Sequence, residues 1–266
     1  MSNDPIRYWH SLTTTEAAAL AARDPVVILP LAATEQHGPH LPLSTDLDIG
    51  LGLLREAFRR LPDDLPAWAL PPQAIGNSRE HQRFAGTLSL DAELLIEGIH
   101  QIGTAVAASG VRRLVIFNSH GGNLGAMDAA ALRLRDEQGL LVVKASYATF
   151  SRPADVELPE AEWRHGLHGG AVETAMMLHL RPDLVRDERR QCFSSLGQEL
   201  DGTLRRVGAD GEAAFAWLAT DLNPHGVTGN ARLVDPDIGQ RLVAHYGCVL
   251  AEVLQDALAF PLDRLV

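Results

Sequence analysis

Glu35 and His37 stand two positions apart, so an extended backbone turns both side chains to the same side. Gly38, Pro39 and Pro42 rule out a regular helix over the residues that follow, and Asp46 lies just beyond them. A carboxylate, an imidazole and a second carboxylate offer the mixed oxygen and nitrogen donors that suit a divalent metal ion. The same residues also suit a polar loop with a helix-capping carboxylate. His120 favours the metal reading. It sits in the run Asn118-Ser119-His120-Gly121-Gly122-Asn123 directly after an apolar segment, where two glycines permit a tight turn. A third group follows in WRHGLHGGAVETAMMLHL, where His168 and Glu173 flank Gly169 and Gly170. Three turns rich in histidine and carboxylate are harder to explain as unrelated caps and surface hydrogen bonds than as one site.

Such turns must be brought together by regular elements. The run from Val26 to Ala32 has the β-branched, apolar bias of a buried strand, although Pro30 argues against an ideal interior ladder. Thr45 followed by Asp48 resembles a capping box opening a helix through Arg60. The pattern recurs: a helix from about Asp91 to Ser109, a strand over Arg112 to Asn118, a turn, a helix capped by Asn123, and a strand over Leu140 to Tyr147. Alternating strands and helices predict an α/β fold with parallel strands, whose ligand-binding loops follow the carboxyl ends of the strands. Met176 and Met177 read as helix packing, and the apolar spacing after Pro236 predicts a helix laid over the sheet, with His245 as a hydrogen-bonding surface residue.

The chain has 266 residues and a formal charge of −11, which disfavours general nucleic-acid binding. No linker-like stretch or internal repeat divides it, so one domain is expected. Cys192 and Cys248 do not make a disulfide framework, and the amino terminus lacks a secretory pattern. No uninterrupted apolar run appears long enough to span a membrane, which makes a reducing cytoplasm the expected location. There is no Walker phosphate loop and no dinucleotide fingerprint.

The segments LPLAATEQHGPHLPLSTD, FAGT, NSHGGN and HGGAVET occur in that order, and the sequence from about Val26 to Asn230 resembles the creatininase family of metal-dependent amidohydrolases. The resemblance implies one catalytic domain over residues 1–266 with a three-layer α/β/α fold and a mainly parallel central sheet. It further implies two divalent ions, Zn2+ or Mn2+ with Fe2+ as a third option, and a homo-oligomer, commonly a hexamer. By motif, Glu35 and His120 would hold one ion and His37 and Glu173 the other, with Asp46 bridging. His168 would be an acid/base residue. Two adjacent cations activate water and polarise an amide carbonyl, while His168 protonates the departing nitrogen.

Substrate choice is less constrained. Members that open creatinine carry Tyr-Glu directly after the histidine of the Asn-x-His motif, and that glutamate is a metal ligand; this chain has Gly121-Gly122, leaving Glu173 to supply a carboxylate. The departure argues against creatinine and favours a non-peptide C–N bond in a small cyclic amide or a formamide. Alternatives are creatinine opening, a peptidase that trims a modified precursor peptide, and a catalytically inactive metal-dependent scaffold. His81, Trp163 and Arg164 are candidate substrate contacts: a support histidine, an aromatic face displaced by one position from the expected tryptophan, and a cation standing at that expected position.

Overall fold

The computed structural model describes residues 4–265. In chain order the elements are α1 (Thr14–Ala21), β1 (Val26–Leu31), α2 (Thr45–Arg60), β2 (Ala67–Ala69), α3 (Ala92–Ala108), β3 (Arg113–Asn118), α4 (Leu124–Gln138) and β4 (Leu141–Ser146). The second half adds α5 (Glu160–His165), α6 (Ala171–Leu180), β5 (Cys192–Phe193), α7 (Leu196–Glu199), β6 (Val207–Gly208), β7 (Ala213–Ala214), α8 (Ala219–Leu222), β8 (Gly229–Asn230) and α9 (Pro236–Ala259).

β2, β1, β3 and β4 form one all-parallel sheet in that order. Successive side chains on a strand point to opposite faces. Val26, Ile28, Val115 and Phe117 therefore join the core under α2, α6 and α9. Val27, Leu29, Leu31, Leu114 and Ile116 join the core under α3 and α4. Both faces are covered, which is why β1 and β3 read as continuous apolar runs. The result is the expected three-layer α/β/α architecture.

β1 lies in the interior of the sheet despite Pro30. The strand pairs with β3 along its whole length, whereas its register with β2 ends at Ile28 opposite Ala69. Past that point the Gln73 backbone donates to the Pro30 carbonyl at 2.9 Å, a contact that asks nothing of the missing proline N–H.

Two capping expectations are corrected. Thr45 does not form a capping box with Asp48; it is the first residue of α2, and its hydroxyl donates to the Pro42 carbonyl at 2.7 Å. Asp48 instead accepts from the Ser44 hydroxyl at 2.7 Å. Asn123 occupies the N-cap position of α4 without capping it. Its side chain accepts from the Asn77 backbone N–H at 2.9 Å and donates to the Ala32 carbonyl at 3.1 Å and the Asn118 side chain at 3.2 Å. Long-range partners win because Asn123 is fully buried where three loops meet.

α9 is not an uninterrupted apolar run, since it carries Asp237, Arg241, Glu252 and Asp256. By length and composition alone, its 24 residues are still long and apolar enough to cross a membrane. In this fold its apolar face, including Leu242, Leu250 and Leu254, is buried in the core shared with α2 and α6.

Close approach of α9 depends on glycine. A Cβ at Gly239 would collide with the Ala175 carbonyl of α6, and one at Gly247 would lie 2.5 Å from Cγ of Glu56 on α2. The Ala175 backbone cannot swing aside as a flexible side chain could. Gly239→Ala is therefore expected to lower unfolding stability by about 1–3 kcal/mol through displacement of α9 from α6. Urea denaturation followed by circular dichroism checks this, and an unchanged midpoint would mean that the two helices can separate freely.

Candidate metal centre

Parallel strands place the carboxyl ends of β1 and β3 at one edge of the sheet, and the chemistry gathers there. The loop after β1 carries Glu35, Gln36 and His37, pinned by a bond from the Glu35 backbone N–H to the Leu43 carbonyl at 3.0 Å. The turn after β3 carries His120. Asp46 lies in the first turn of α2 and Glu173 in the first turn of α6, where a helix N-terminus favours a carboxylate. His168 precedes α6, and a single turn at Arg79–His81 brings in Glu80 and His81.

The side chains form two groups that share Asp46. His37 Nε2 lies 3.2 Å from Asp46 Oδ1 and 3.8 Å from Glu173 Oε2. His120 Nδ1 lies 3.2 Å from Glu35 Oε1 and 3.4 Å from Asp46 Oδ2. One carboxylate oxygen of Asp46 thus faces each histidine. Glu35, His37, Asp46 and His120 are all no more than 5% exposed.

Burial on this scale requires partners, yet both oxygens of Glu35, Nε2 of His37 and Oδ2 of Asp46 have no hydrogen-bond partner among the described residues. His37 and Asp46 approach as an ion pair without hydrogen-bond geometry. Stranded acceptors converging around two points fit a pair of divalent cations, and the atoms of His37, Asp46 and Glu173 lie close enough together to share one ion.

The surroundings fix which atoms face inward. His120 Nε2 donates to the Asn77 carbonyl at 2.9 Å, which leaves Nδ1 with its lone pair towards Glu35 and Asp46. His37 Nδ1 donates to the Glu35 carbonyl at 3.2 Å, which leaves Nε2 free in the same way. Glu173 accepts from the Tyr147 hydroxyl at 3.0 Å and from the Gly169 backbone N–H at 2.7 Å, so its carboxylate is aimed before any ion arrives. His168 Nε2 donates to the Gln36 carbonyl at 2.7 Å, and its Nδ1 lies 3.6 Å from Glu35 Oε1.

Electrostatics separate the histidines into two kinds. Burial opposes the charged form of His37, but Asp46, Glu173 and Glu35 overcome it and push its pKa up to about 9. Burial is likewise outweighed at His120 by Glu35, Asp46 and Glu80, which take it up to about 10. His81 goes the other way, to about 2, through burial and the charge on His37 and His120. Burial, together with His37 and His81, also holds His168 well below the ordinary range, so it is a neutral base. Burial raises the carboxyls of Glu35 and Glu173 against the pull of His120 and His37 respectively.

All five residues expected to bind metal, Glu35, His37, Asp46, His120 and Glu173, meet at this edge, as does His168. His81 is also here: its Nε2 lies 3.5 Å from Glu35, and its ring stacks on His168 at 4.1 Å between centroids. Trp163 and Arg164 lie elsewhere. They line a cavity of 410 Å³ whose walls include none of the residues just named as candidate ligands. Arg152 sits over the Trp163 ring at 5.0 Å, and Arg164 pairs with Asp201 at 3.0 Å. Glu162 beside them accepts from the Ala171 and Asn230 backbones at 2.7 and 2.8 Å, so α5 holds the start of α6 in place.

The roles of Gln36 and Tyr147 emerge only in three dimensions, and Glu80, in a segment whose sequence already reads as a pocket wall, gains its place beside His120 there. The Gln36 amide donates to His81 Nδ1 at 2.8 Å and to the Gly226 carbonyl at 2.6 Å, tying three loops together. Its place between Glu35 and His37 was the one available signal. Nothing in the sequence marked Tyr147, which follows directly on β4 and lies 26 residues before the carboxylate it holds.

A family model described as creatininase, creatinine amidohydrolase, matches residues 10–254. Mycofactocin precursor peptide peptidase of Mycobacterium tuberculosis is 39% identical over 184 residues, 67% of each chain. The protein of the same name from Mycobacterium ulcerans is 35% identical over 240 residues, 88% of this chain and 86% of that one. Creatinine amidohydrolase of Pseudomonas putida is 35% identical over 188 residues, 65% of this chain and 70% of that one. A crystal structure of creatinine amidohydrolase matches the fold with a TM-score of 0.77 at 25% identity, covering 98% of this chain and 100% of that one. Similar solved structures include a manganese form of creatininase and a zinc–zinc form of a creatininase mutant, each with a TM-score of 0.74.

Fold, relatives and donor cluster together define a metal-dependent amidohydrolase. Within that class the chain belongs to the creatininase family.

In the metal-free protein His37 and His120 hold protons up to about pH 9 and 10, above the ordinary value of 6.5. A cation must displace those protons, so its affinity is expected to rise with pH from 6 towards 9, with protons released on binding. Chelator competition across that range, with a pH indicator in weak buffer, checks both. Binding that neither strengthens with pH nor releases protons would exclude His37 and His120 as ligands.

Proposed function

We propose that the protein hydrolyses an amide C–N bond at a two-metal centre, with Glu35 and His120 on one ion, His37 and Glu173 on the other, and Asp46 shared. The carrying observation is the set of buried donor atoms without partners, divided by the two oxygens of Asp46. Two divalent ions, Zn2+ or Mn2+ by analogy with the solved creatininases, would lower the pKa of a bound water and polarise the scissile carbonyl.

The chain's own residues handle the proton. His168 Nε2 is committed to the Gln36 carbonyl, so the Nδ1 lone pair is the one that faces the cluster. A neutral imidazole there accepts a proton from the attacking water and passes it to the departing nitrogen. His81, stacked on His168 and bonded by Gln36, fixes the ring plane in which that transfer occurs. His81 is thus a positioning residue in this reading.

For the substrate, the reading shifts from the small cyclic amide or formamide expected from sequence towards a peptide bond in a precursor peptide. Support comes from the relatives named as precursor peptide peptidases, one of which aligns over 88% of this chain, against 65% for the creatinine amidohydrolase. The absence of a side chain at Gly122 is the specific observation against creatinine. A small cyclic amide or formamide remains the second reading, since solved relatives include creatinine amidohydrolase itself.

Glu173→Gln is expected to keep the fold while losing one ion and most turnover, because the amide retains the size of the side chain and removes its charge. Elemental analysis and turnover should fall together. Unchanged metal content with parental turnover would remove Glu173 from the ligand set. A panel of short peptides, cyclic ureides, pyrimidine formamides and creatinine, offered to metal-replete protein and read by product mass, tests the substrate. Peptide shortening supports the first reading, while formamide or ring cleavage alone overturns it.

A further inference from the structure

Beside His120 stands a carboxylate that the ligand set above does not use. Glu80 Oε1 lies 3.7 Å from His120 Nε2 and 3.9 Å from His81 Nε2, on a side chain only 19% exposed. Neither approach is a hydrogen bond, and His120 Nε2 already donates to Asn77. Glu80 therefore faces the cluster without a bonded partner among the described residues. Its oxygen, a Glu35 oxygen and a ring nitrogen of His120 lie within 4.8 Å of one another, a spacing that one cation can bridge.

The neighbouring turn explains how it reaches this place. A Cβ at Gly122 would lie 2.5 Å from Glu80 Oε1 and 2.5 Å from His120 Nε2, and would collide with the Asn77 carbonyl. Any side chain at position 122 would exclude the Glu80 carboxylate. The bare Gly121-Gly122 turn and the inward Glu80 are therefore two halves of one arrangement. The Ser78 backbone N–H donates to the Ser89 hydroxyl at 2.9 Å and the His81 N–H to the Ser78 carbonyl at 3.0 Å, which hold the turn that presents Glu80.

We propose that Glu80 is a further ligand of the His120-side ion: its carboxylate, now beside Nε2 of His120, would swing across the space left by Gly122 to the ion that Glu35 and Nδ1 of His120 hold. The inference rests on the two-metal reading above. It gives the His120 side Glu35, Glu80 and a share of Asp46, against Glu173 and a share of Asp46 on the His37 side. The more carboxylate-rich half is then the harder site, suited to an ion that prefers oxygen donors.

The test is metal binding by the full-length protein, read with Zn2+ and Mn2+ by elemental analysis and chelator competition. Glu80→Gln is expected to weaken one ion by more than the about 10–100-fold that losing a residue which only orients a ligand costs, while leaving the other in place, and Glu173→Gln to weaken the opposite one. Glu80→Asp keeps the charge but shortens the reach, and is expected to weaken the same ion as Glu80→Gln. Co2+ substitution provides a second readout, since loss of a ligand from one ion changes its visible absorption. Circular dichroism of the chelated variants establishes that they fold. Parental affinity for both ions in Glu80→Gln overturns the proposal, as does a Glu80→Asp variant that binds like the parent, which would reduce Glu80 to a distant charge. A parent protein that binds fewer than two ions at saturation overturns the two-metal reading itself, and is distinguishable because it appears before any substitution.

Discussion

Burying carboxyl groups is costly, and this protein buries Glu35 and Asp46 completely or nearly so at the carboxyl edge of its sheet, with Glu173 close by. The cost is offset only where positive charge comes within a few ångström. His37 and His120 supply it in the protein alone, which is why the same carboxylates that need them drive their pKa values up. The two protonated imidazoles supply part of the positive charge that a bound cation would bring. The whole site follows from that balance: the same buried negative charge that would be unfavourable alone becomes the reason for a cation to bind.

A cluster of this kind works only if its members cannot relax apart. β1 and β3 are paired over their full length, so the loops carrying Glu35, His37 and His120 leave the sheet at a fixed separation. Asn123 and Gln36, both buried, then tie those loops to the Asn77 and Gly226 backbones. The helical carboxylates are positioned differently. Asp46 and Glu173 ride on α2 and α6, whose mutual packing with α9 permits no side chain at Gly239. Rigidity at the ion positions is thus shared between a hydrogen-bonded sheet and a close-packed helical layer.

Membership of the creatininase family fixes the architecture and the metal chemistry more firmly than it fixes a substrate. The turn after β3 is where the difference concentrates. With glycines at 121 and 122, space beside His120 is open to Glu80, and the Arg79–His81 turn becomes part of the wall around the donor cluster. The aromatic and basic residues of the Trp163 region face another cavity, so they do not define what touches the metals. Specificity on this scaffold is a property of loops that the sheet leaves free to vary.

The sequence alone determined the residues that meet at the sheet edge and the layers that bring them there. Glu35, His37, Asp46, His120, His168 and Glu173 were legible because histidines and carboxylates in glycine-rich turns after apolar runs have few purely structural explanations. The three-layer fold was legible because strands buried on both faces are apolar throughout. What only the tertiary structure decided were partnerships between residues far apart in sequence. Asn123 looked like a cap for the helix that follows it, yet burial at a junction of loops gave it longer-range partners. The apolar spacing of α9 marked it as a helix over the sheet, and the structure decided that its partners there are α2 and α6. Tyr147 carried no local mark, since an orienting hydroxyl is defined by the atoms across from it. Local pattern records what a residue can do, while the choice of partner is made by chain crossings that no short stretch of sequence contains.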